Sequence, residues 1–458
     1  MAAQRQRTSN TDQTRRRREE FMARISGGIA IFPAAPTAIR NSDVEHEYRQ
    51  DTDFYYLTGF EEPNAVAVLA PDHPEHKFVL FVQPKDRERE VWTGWRAGAD
   101  GAKRDYGADA AFTLDKLDEE LPKLAEKADR IYYRFGSDPG FDERLIGMLR
   151  RFQRQRQREG TGPTSVIDPA ELLHEMRLIK TPHDLELLRR AIDITCEGHL
   201  AAMRALTPGS YEYELEAAIV YAFRKNGSPR CGYASIVGSG ANATVLHYTA
   251  NNCRVDDGDL VLIDAGAEFG YYTGDVTRTL PASGRFTEEQ AALYQLVLDA
   301  QLQAIEAIKP GAPFIEPHDI AVRVLTEGMV RLGLLEGDVE KLIEDGNKFQ
   351  NQPDAPSGYK KFYMHRTGHW LGMDVHDAGP YKVADESRRL APGMVLTVEP
   401  GLYIAEDAEG IDARYRGIGI RVEDDVLVTD QGNEVLSSRV PKSIEEIERM
   451  ILEARIPY

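Results

Sequence analysis

Asp264 closes the apolar run Val261-Leu262-Ile263, and Asp275 follows within Tyr272-Thr273-Gly274-Asp275-Val276-Thr277. Glu399 closes a second run, Val395 to Val398, and Glu423 interrupts a third that begins at Ile418. Such runs read as buried strands, where a carboxylate without a partner is costly. If the four acids converge, like charges within a few ångströms force protonation. Two divalent cations would instead balance four negative charges with four positive ones. The stretch FYMHRTGHWLGMDVHDAG adds His365, His369 and His376. Carboxylate oxygens with one or two imidazoles suit Mn2+, and Zn2+ or Co2+ less selectively. Two such ions about 3.5 to 4 Å apart hold a bridging hydroxide, a strong nucleophile near neutral pH, and polarise a carbonyl.

Other chemistries fit less well. His365 and His369 have the spacing of a zincin helix, but Arg366 stands where that motif needs glutamate, and Gly368 and Gly372 argue against a helix. VGSGANA, 237 to 243, lacks the lysine of a phosphate loop, and no G-x-S-x-G elbow occurs. Cys231 has no identifiable base, and His183 and His318 read as surface or core residues.

These groups need a scaffold. From about 20 to 160 the chain alternates strand-like runs (28–32, 65–69, 78–82) with helical periodicity over 114–128 and 142–155, an α/β pattern without a G-x-G-x-x-G fingerprint. The polar, then Gly/Pro-rich stretch 151–165 reads as a helix end and a loop. A second unit starts near Arg177. Thr181-Pro182 opens a long amphipathic helix. Another helix follows, with Ser210 as its candidate N-cap and Gly227 past its end. From 233 strands dominate, with helical intervals over 287–308 and 317–334, and strands return from 363 to 437. The division expected is a tail over 1–19, leading into a first helix with Arg17, Arg18, Glu19 and Glu20 on a solvated face. An N-terminal domain over 20–176 and a catalytic domain over 177–458 follow.

Composition bounds the partners. With 458 residues, 42% hydrophobic and 29% charged, the chain reads as a globular protein of two or three domains. A formal net charge of −19 argues against nucleic acid, and no apolar run approaches the roughly 18 to 20 residues that span a bilayer. Three scattered cysteines, none in a CxxC, fit a reducing cytoplasm and no disulfide framework.

Five separated stretches, IVGSGANATVLHYT, LIDAGAEFGYYTGDVTRT, FYMHRTGHWLGMDVHD, VLTVEPGLYI and GIGIRVEDDVLVT, resemble in this order the pita-bread metallopeptidases of the aminopeptidase P branch. NSDVEHEYRQDTDFYYLTGFEEPNAV and EVWTGWRAG resemble that family's creatinase-like N-terminal domain. The resemblance covers nearly the whole chain. It implies an α/β (α+β) fold: a smaller N-terminal α/β domain, then a catalytic pita-bread domain.

By the resemblance the metal ligands are Asp264, Asp275, His369, Glu399 and Glu423. Asp275 and Glu423 match bridging positions, Asp264 a ligand of one ion, and His369 with Glu399 ligands of the other. Glu399 also matches the group that takes a proton from the bridging water and passes it to the leaving nitrogen. His247 and His376 match histidines that stabilise the tetrahedral intermediate. His365, Tyr381 and Arg421 match the pocket for the residue after the cleaved bond, and Tyr403 is a further match. Trp92 matches an aromatic that, in tetrameric members, reaches a neighbouring subunit's site. The implied reaction is hydrolysis of the first peptide bond of peptides with proline second, by a homotetramer or dimer. The rivals are an Xaa-Pro dipeptidase, which needs a group to capture the free carboxylate and for which Arg421 could serve as well as for the aminopeptidase, a methionine aminopeptidase, which leaves the N-terminal domain unexplained, and a metal-free pita-bread binding protein.

Overall fold

Val66–Leu69 and Phe78–Val82 are apolar throughout, and every residue in them is buried, as in strands covered on both faces. They belong to the first of two compact units, Met1–Met176 and Arg177–Tyr458, of a computed structural model that describes residues 2–349, 351–352 and 354–455. The first unit holds a six-stranded sheet in the order 110–113, 78–82, 66–69, 28–33, 130–132, 165–167. Its 28–33 strand runs antiparallel to 66–69 and parallel to 130–132. Helices Leu117–Ala125 and Pro139–Glu159 turn Leu121, Leu145 and Phe152 onto Val79 and Ile131.

The start of the chain corrects an expectation. Met1 lies outside the described residues, and Ala2–Arg24 form a helix, α1, which begins within the stretch expected as a tail. Glu19 and Glu20 are exposed, but Arg17 and Arg18 are buried. Their Nη1 atoms donate to the carbonyls of Tyr56 (3.2 Å) and Leu57 (2.7 Å) near the end of a second helix, α2, Thr52–Thr58. The last carbonyls of a helix lack partners within it and favour positive charge. The guanidinium groups also lie 4.1 Å over the Tyr56 ring and 3.9 Å over Phe78. An arginine run reads as solvated until a fold supplies such acceptors.

In the second unit, helix Pro182–Ala205 starts at Thr181 with a reciprocal cap from Asp184. Helix Glu212–Lys225 follows, capped not by Ser210, whose hydroxyl donates to Thr207 O (2.7 Å), but at Tyr211, whose N–H donates to the Glu214 carboxylate (2.7 Å). The long helix packs against the strand that carries Asp264, with Thr195 Oγ1 accepting from Ala267 N (2.9 Å) and His199 Nε2 lying 3.2 Å from Ala265 O. The strands form small antiparallel sheets: 236–239, 260–265 and 276–281 in one, 395–398, 424–428 and 433–435 in another, with 401–404 paired to 418–421. Helices Glu288–Glu306 and Glu316–Arg331 fill the two helical intervals. Among the described residues no helix is long and apolar enough to cross a membrane.

Candidate metal centre and its cavity

Strands 260–265 and 276–281 pair antiparallel with Asp264 opposite Thr277 and Ala265 opposite Val276. The chain between them makes its own hairpin, 267–269 against 272–273, so Asp264 and Asp275 return to the same end of the ladder. Close approach requires glycine here: a Cβ on Gly266 would strike the carbonyl of Gly274. Tyr233 joins the two acids, its hydroxyl 2.5 Å from Asp264 Oδ1 and 2.6 Å from Asp275 Oδ1. A phenol has one hydrogen, so two ionised carboxylates cannot both receive it.

Glu399 and Glu423 flank one break in a strand pair. Val398 faces Asp424 in one ladder and Gly401 faces Arg421 in the next. The residues between carry the two glutamates, and Pro400 has no N–H to continue the ladder. Glu423 is turned onto the first sheet: its N–H donates to Thr277 O (3.1 Å), Thr277 Oγ1 donates to its carboxylate (2.6 Å), and Arg278 donates to its carbonyl (2.6 Å). Arg278, fully buried, also pairs with Asp424 at 2.8 Å. His369 runs beside the 395–398 strand, its carbonyl accepting from Thr397 N (3.0 Å). Its Nδ1 donates to Trp370 O (3.0 Å), which leaves Nε2 facing Asp275 Oδ2 (3.3 Å) and Glu399 Oε1 (3.5 Å).

Ligand atoms of Asp275, His369 and Glu423 lie within 4.8 Å of one another. Burial, then the charges of Asp275, Glu399 and Asp264, pushes the Glu423 carboxyl well above the usual range. Burial raises Glu399 to about 7 against the pull of His369 and Arg421, and raises Asp264 against Arg421. Burial lowers the His369 imidazole, but Asp275 and Glu399 outweigh it and bring it up to about 9. The protein's own cations therefore do not neutralise these acids. Without a further cation these groups hold protons, and a divalent metal that displaces them from the carboxylates and from His369 Nε2 fits this set of oxygen and imidazole donors.

Asp264, Asp275, Glu399 and His369 line a cavity of about 1230 Å3, and Glu423 lies behind them beside Asp275 and His369. The His369 and His376 rings meet edge to face at 4.3 Å, and His247 lines the same space. Burial, then His369, lowers the His376 imidazole. His365, Tyr403 and Arg421 form one hydrogen-bonded group: His365 Nε2 lies 2.8 Å from the Tyr403 hydroxyl, to which Arg421 Nη1 donates at 3.0 Å. Arg421 also donates from Nη2 to Asp264 (2.6 Å) and from Nε to Thr277 Oγ1 (3.2 Å). Tyr381 lines the same cavity as His365 and Arg421, with its ring stacked on Phe314 and Trp370. Trp92 belongs to the other unit, on helix Arg87–Thr93, where it is 88% exposed.

No sequence signal singled out Tyr233, Thr277, Arg278 or Phe314. Nor did one mark Arg177 and Lys180, which pair with buried Asp377 at 2.6 and 2.9 Å and so anchor the loop of His376. A hydroxyl or guanidinium within a strand is ordinary until its partner, far away in the chain, is known.

The model of metallopeptidase family M24 matches residues 186–430, and that of the aminopeptidase P N-terminal domain matches residues 14–132. The chain belongs to metallopeptidase family M24. The family assignment covers all five clustered acid and imidazole residues, and the pita-bread architecture accounts for the second unit. The chain is 42% identical to an Xaa-Pro aminopeptidase of Escherichia coli over 96% of this chain and 97% of that protein. The structure of Pseudomonas aeruginosa aminopeptidase PepP superposes with a TM-score of 0.92 at 49% identity, covering 97% of this chain and 98% of that one. Zn-substituted E. coli aminopeptidase P, in complex with product, gives 0.91 at 42% identity, covering 98% and 99%.

Proposed function

We infer that this M24 peptidase hydrolyses the first peptide bond of peptides with proline second, as an Xaa-Pro aminopeptidase. The observation that carries the reading is the convergence of Asp264, Asp275, Glu399 and His369 on one cavity, with Glu423 beside Asp275 and His369, in a chain related over nearly its full length to such enzymes. Asp264, Asp275, His369, Glu399 and Glu423 would hold two divalent ions, Mn2+ by preference with Zn2+ or Co2+ as alternatives. Bound there, such ions polarise the scissile carbonyl and lower the pKa of the attacking water.

The remaining roles fall to the chain itself. Glu399 accepts the proton of the attacking water and returns it to the leaving nitrogen. His247 and His376 donate to the oxygen on which charge develops. His365, Tyr403 and Arg421 wall the space for the proline ring, with Tyr381 further along the cavity. Proline offers no N–H at the scissile bond, so a site that attacks the carbonyl and reads ring shape succeeds where one reading that hydrogen fails.

Each nitrogen of Arg421 already donates within the protein. That favours an aminopeptidase over a dipeptidase that needs a free cation for the substrate carboxylate, and the cavity exceeds what a dipeptide fills. Trp92, an exposed indole, is assigned to a neighbouring copy's site in a homotetramer or dimer. Three cysteines without disulfides support a cytoplasmic setting. Rates on Xaa-Pro and Xaa-Pro-Xaa peptides test the reading: the tripeptides are cleaved, and activity confined to dipeptides overturns it in favour of a dipeptidase. Metal content near zero in the purified protein would favour a binding protein.

A further inference from the structure

Phe314 plays no part in the chemistry above, yet it lines the same cavity. Its ring stacks on Tyr381 at 4.7 Å and meets Trp370 at 4.5 Å, and Trp370 stacks on Tyr381 at 5.7 Å. Trp370 is fully buried, Phe314 is half-buried, and Tyr381 is 40% exposed, so the trio forms a floor with one ring open to the cavity. The backbone fixes the spacing: Arg388 N donates to Tyr381 O (2.9 Å) and Phe314 N donates to Arg388 O (2.8 Å). Tyr381 stands at the foot of a hairpin, 382–383 against 386–387, whose turn residues Ala384 and Asp385 have φ of 49° and 66° without being glycine. Ser387 Oγ accepts from Ile315 N (3.1 Å), which ties the far strand to the Phe314 segment.

The shelf adjoins the proline side of the centre. From His365 the wall passes to Tyr363 (5.0 Å between rings) and on to His318 (6.0 Å), which lies four residues past Phe314. His318 Nδ1 is 2.9 Å from Thr367 Oγ1, which closes the wall between these points. At the other end Trp370 is the neighbour of His369 in the chain. His365, Phe314 and Tyr381 line one cavity, which leaves room for a peptide to continue from the proline side toward these rings.

We propose that Phe314 and Tyr381 form a subsite for the side chain of the second residue after the cleaved bond, and that it takes an aromatic or large apolar side chain. Stacked and edge-to-face rings gain stability beyond the area they bury, and glycine at that position leaves the open Tyr381 face wet. The proposal rests on the aminopeptidase reading, and the tests separate the two.

In wild-type protein loaded with Mn2+, kcat/KM for Ala-Pro-Phe exceeds that for Ala-Pro-Gly about tenfold, most of it in KM. Phe314→Ala brings the ratio to within about twofold, whereas Phe314→Tyr retains it. The product Pro-Phe inhibits the wild type about ten times more tightly than Pro-Gly, a comparison that needs no variant. Equal rates on the two peptides, a ratio that survives Phe314→Ala, or a preference that follows the first residue instead would overturn the subsite. If no proline peptide is cleaved, the aminopeptidase reading fails. Calorimetric binding of Pro-Phe against Pro-Gly then still decides the shelf, equal affinity sinking it.

Discussion

One hydrogen on the Tyr233 hydroxyl faces two carboxylates, and this sets apart two kinds of residue in the centre. Asp275 and Glu423 are proposed metal ligands, so Asp275→Asn or Glu423→Gln should abolish peptide hydrolysis and lower the metal content found by elemental analysis. Tyr233 hydrogen-bonds two of the proposed ligands without being one of them. Tyr233→Phe should weaken metal affinity about 10- to 100-fold while leaving the saturated protein active, as read by metal titration beside rates at excess metal. Full affinity in that variant would remove the phenol from any orienting role. The clustered acids were legible in the sequence because a carboxylate inside an apolar run is costly without a partner. Tyr233 was not legible, since a tyrosine in a strand-rich stretch is cheap and its partners lie 31 and 42 positions on.

Among the secondary elements, the break that holds Glu399 and Glu423 was visible as two apolar runs, each ending or interrupted at an acid. The pairing that sets the breaks opposite each other was not, because register is a property of two strands together. Helix limits were close: 287–308 was expected and Glu288–Glu306 is found. Interval 114–128 instead splits into a 3-10 turn, Leu114–Lys116, and a helix, Leu117–Ala125.

The helix beneath Asp264 also carries a pH dependence. Burial lowers His199 to about 4. The unfolded chain, with histidine near 6.5, therefore binds more protons than the folded one in between. The stability tied to this residue is whole above about pH 6.5 and is lost as pH falls toward 4, at about 1.4 kcal/mol per unit. Burial lowers His318 and His365 to about 3, which adds in the same direction. Urea unfolding from pH 4 to 7 should show a shallower acid loss in His199→Gln than in the wild type, and parallel curves would exclude the assignment.

For the molecule as a whole, the net charge of −19 says nothing about assembly, and the proposed homo-oligomer is tested through Trp92, whose indole is 88% exposed. Trp92→Ala should leave metal content intact and reduce activity in the assembled oligomer, with sedimentation run alongside to confirm assembly. Unchanged activity in an intact oligomer would take Trp92 out of the site. At this scale the sequence misled most at its beginning, because the burial of an arginine depends on acceptors that only the folded neighbour provides.

The two guanidinium groups that clasp the end of α2 have a practical corollary. Shortening the protein to begin at Glu19, a cut that looks harmless on a hydrophilic stretch, would strip the Tyr56 and Leu57 carbonyls of their donors and bare the Phe78 ring. The shortened protein should melt earlier and be nicked by protease near residue 57, whereas one beginning at Thr11 keeps both arginines and should behave as the parent does.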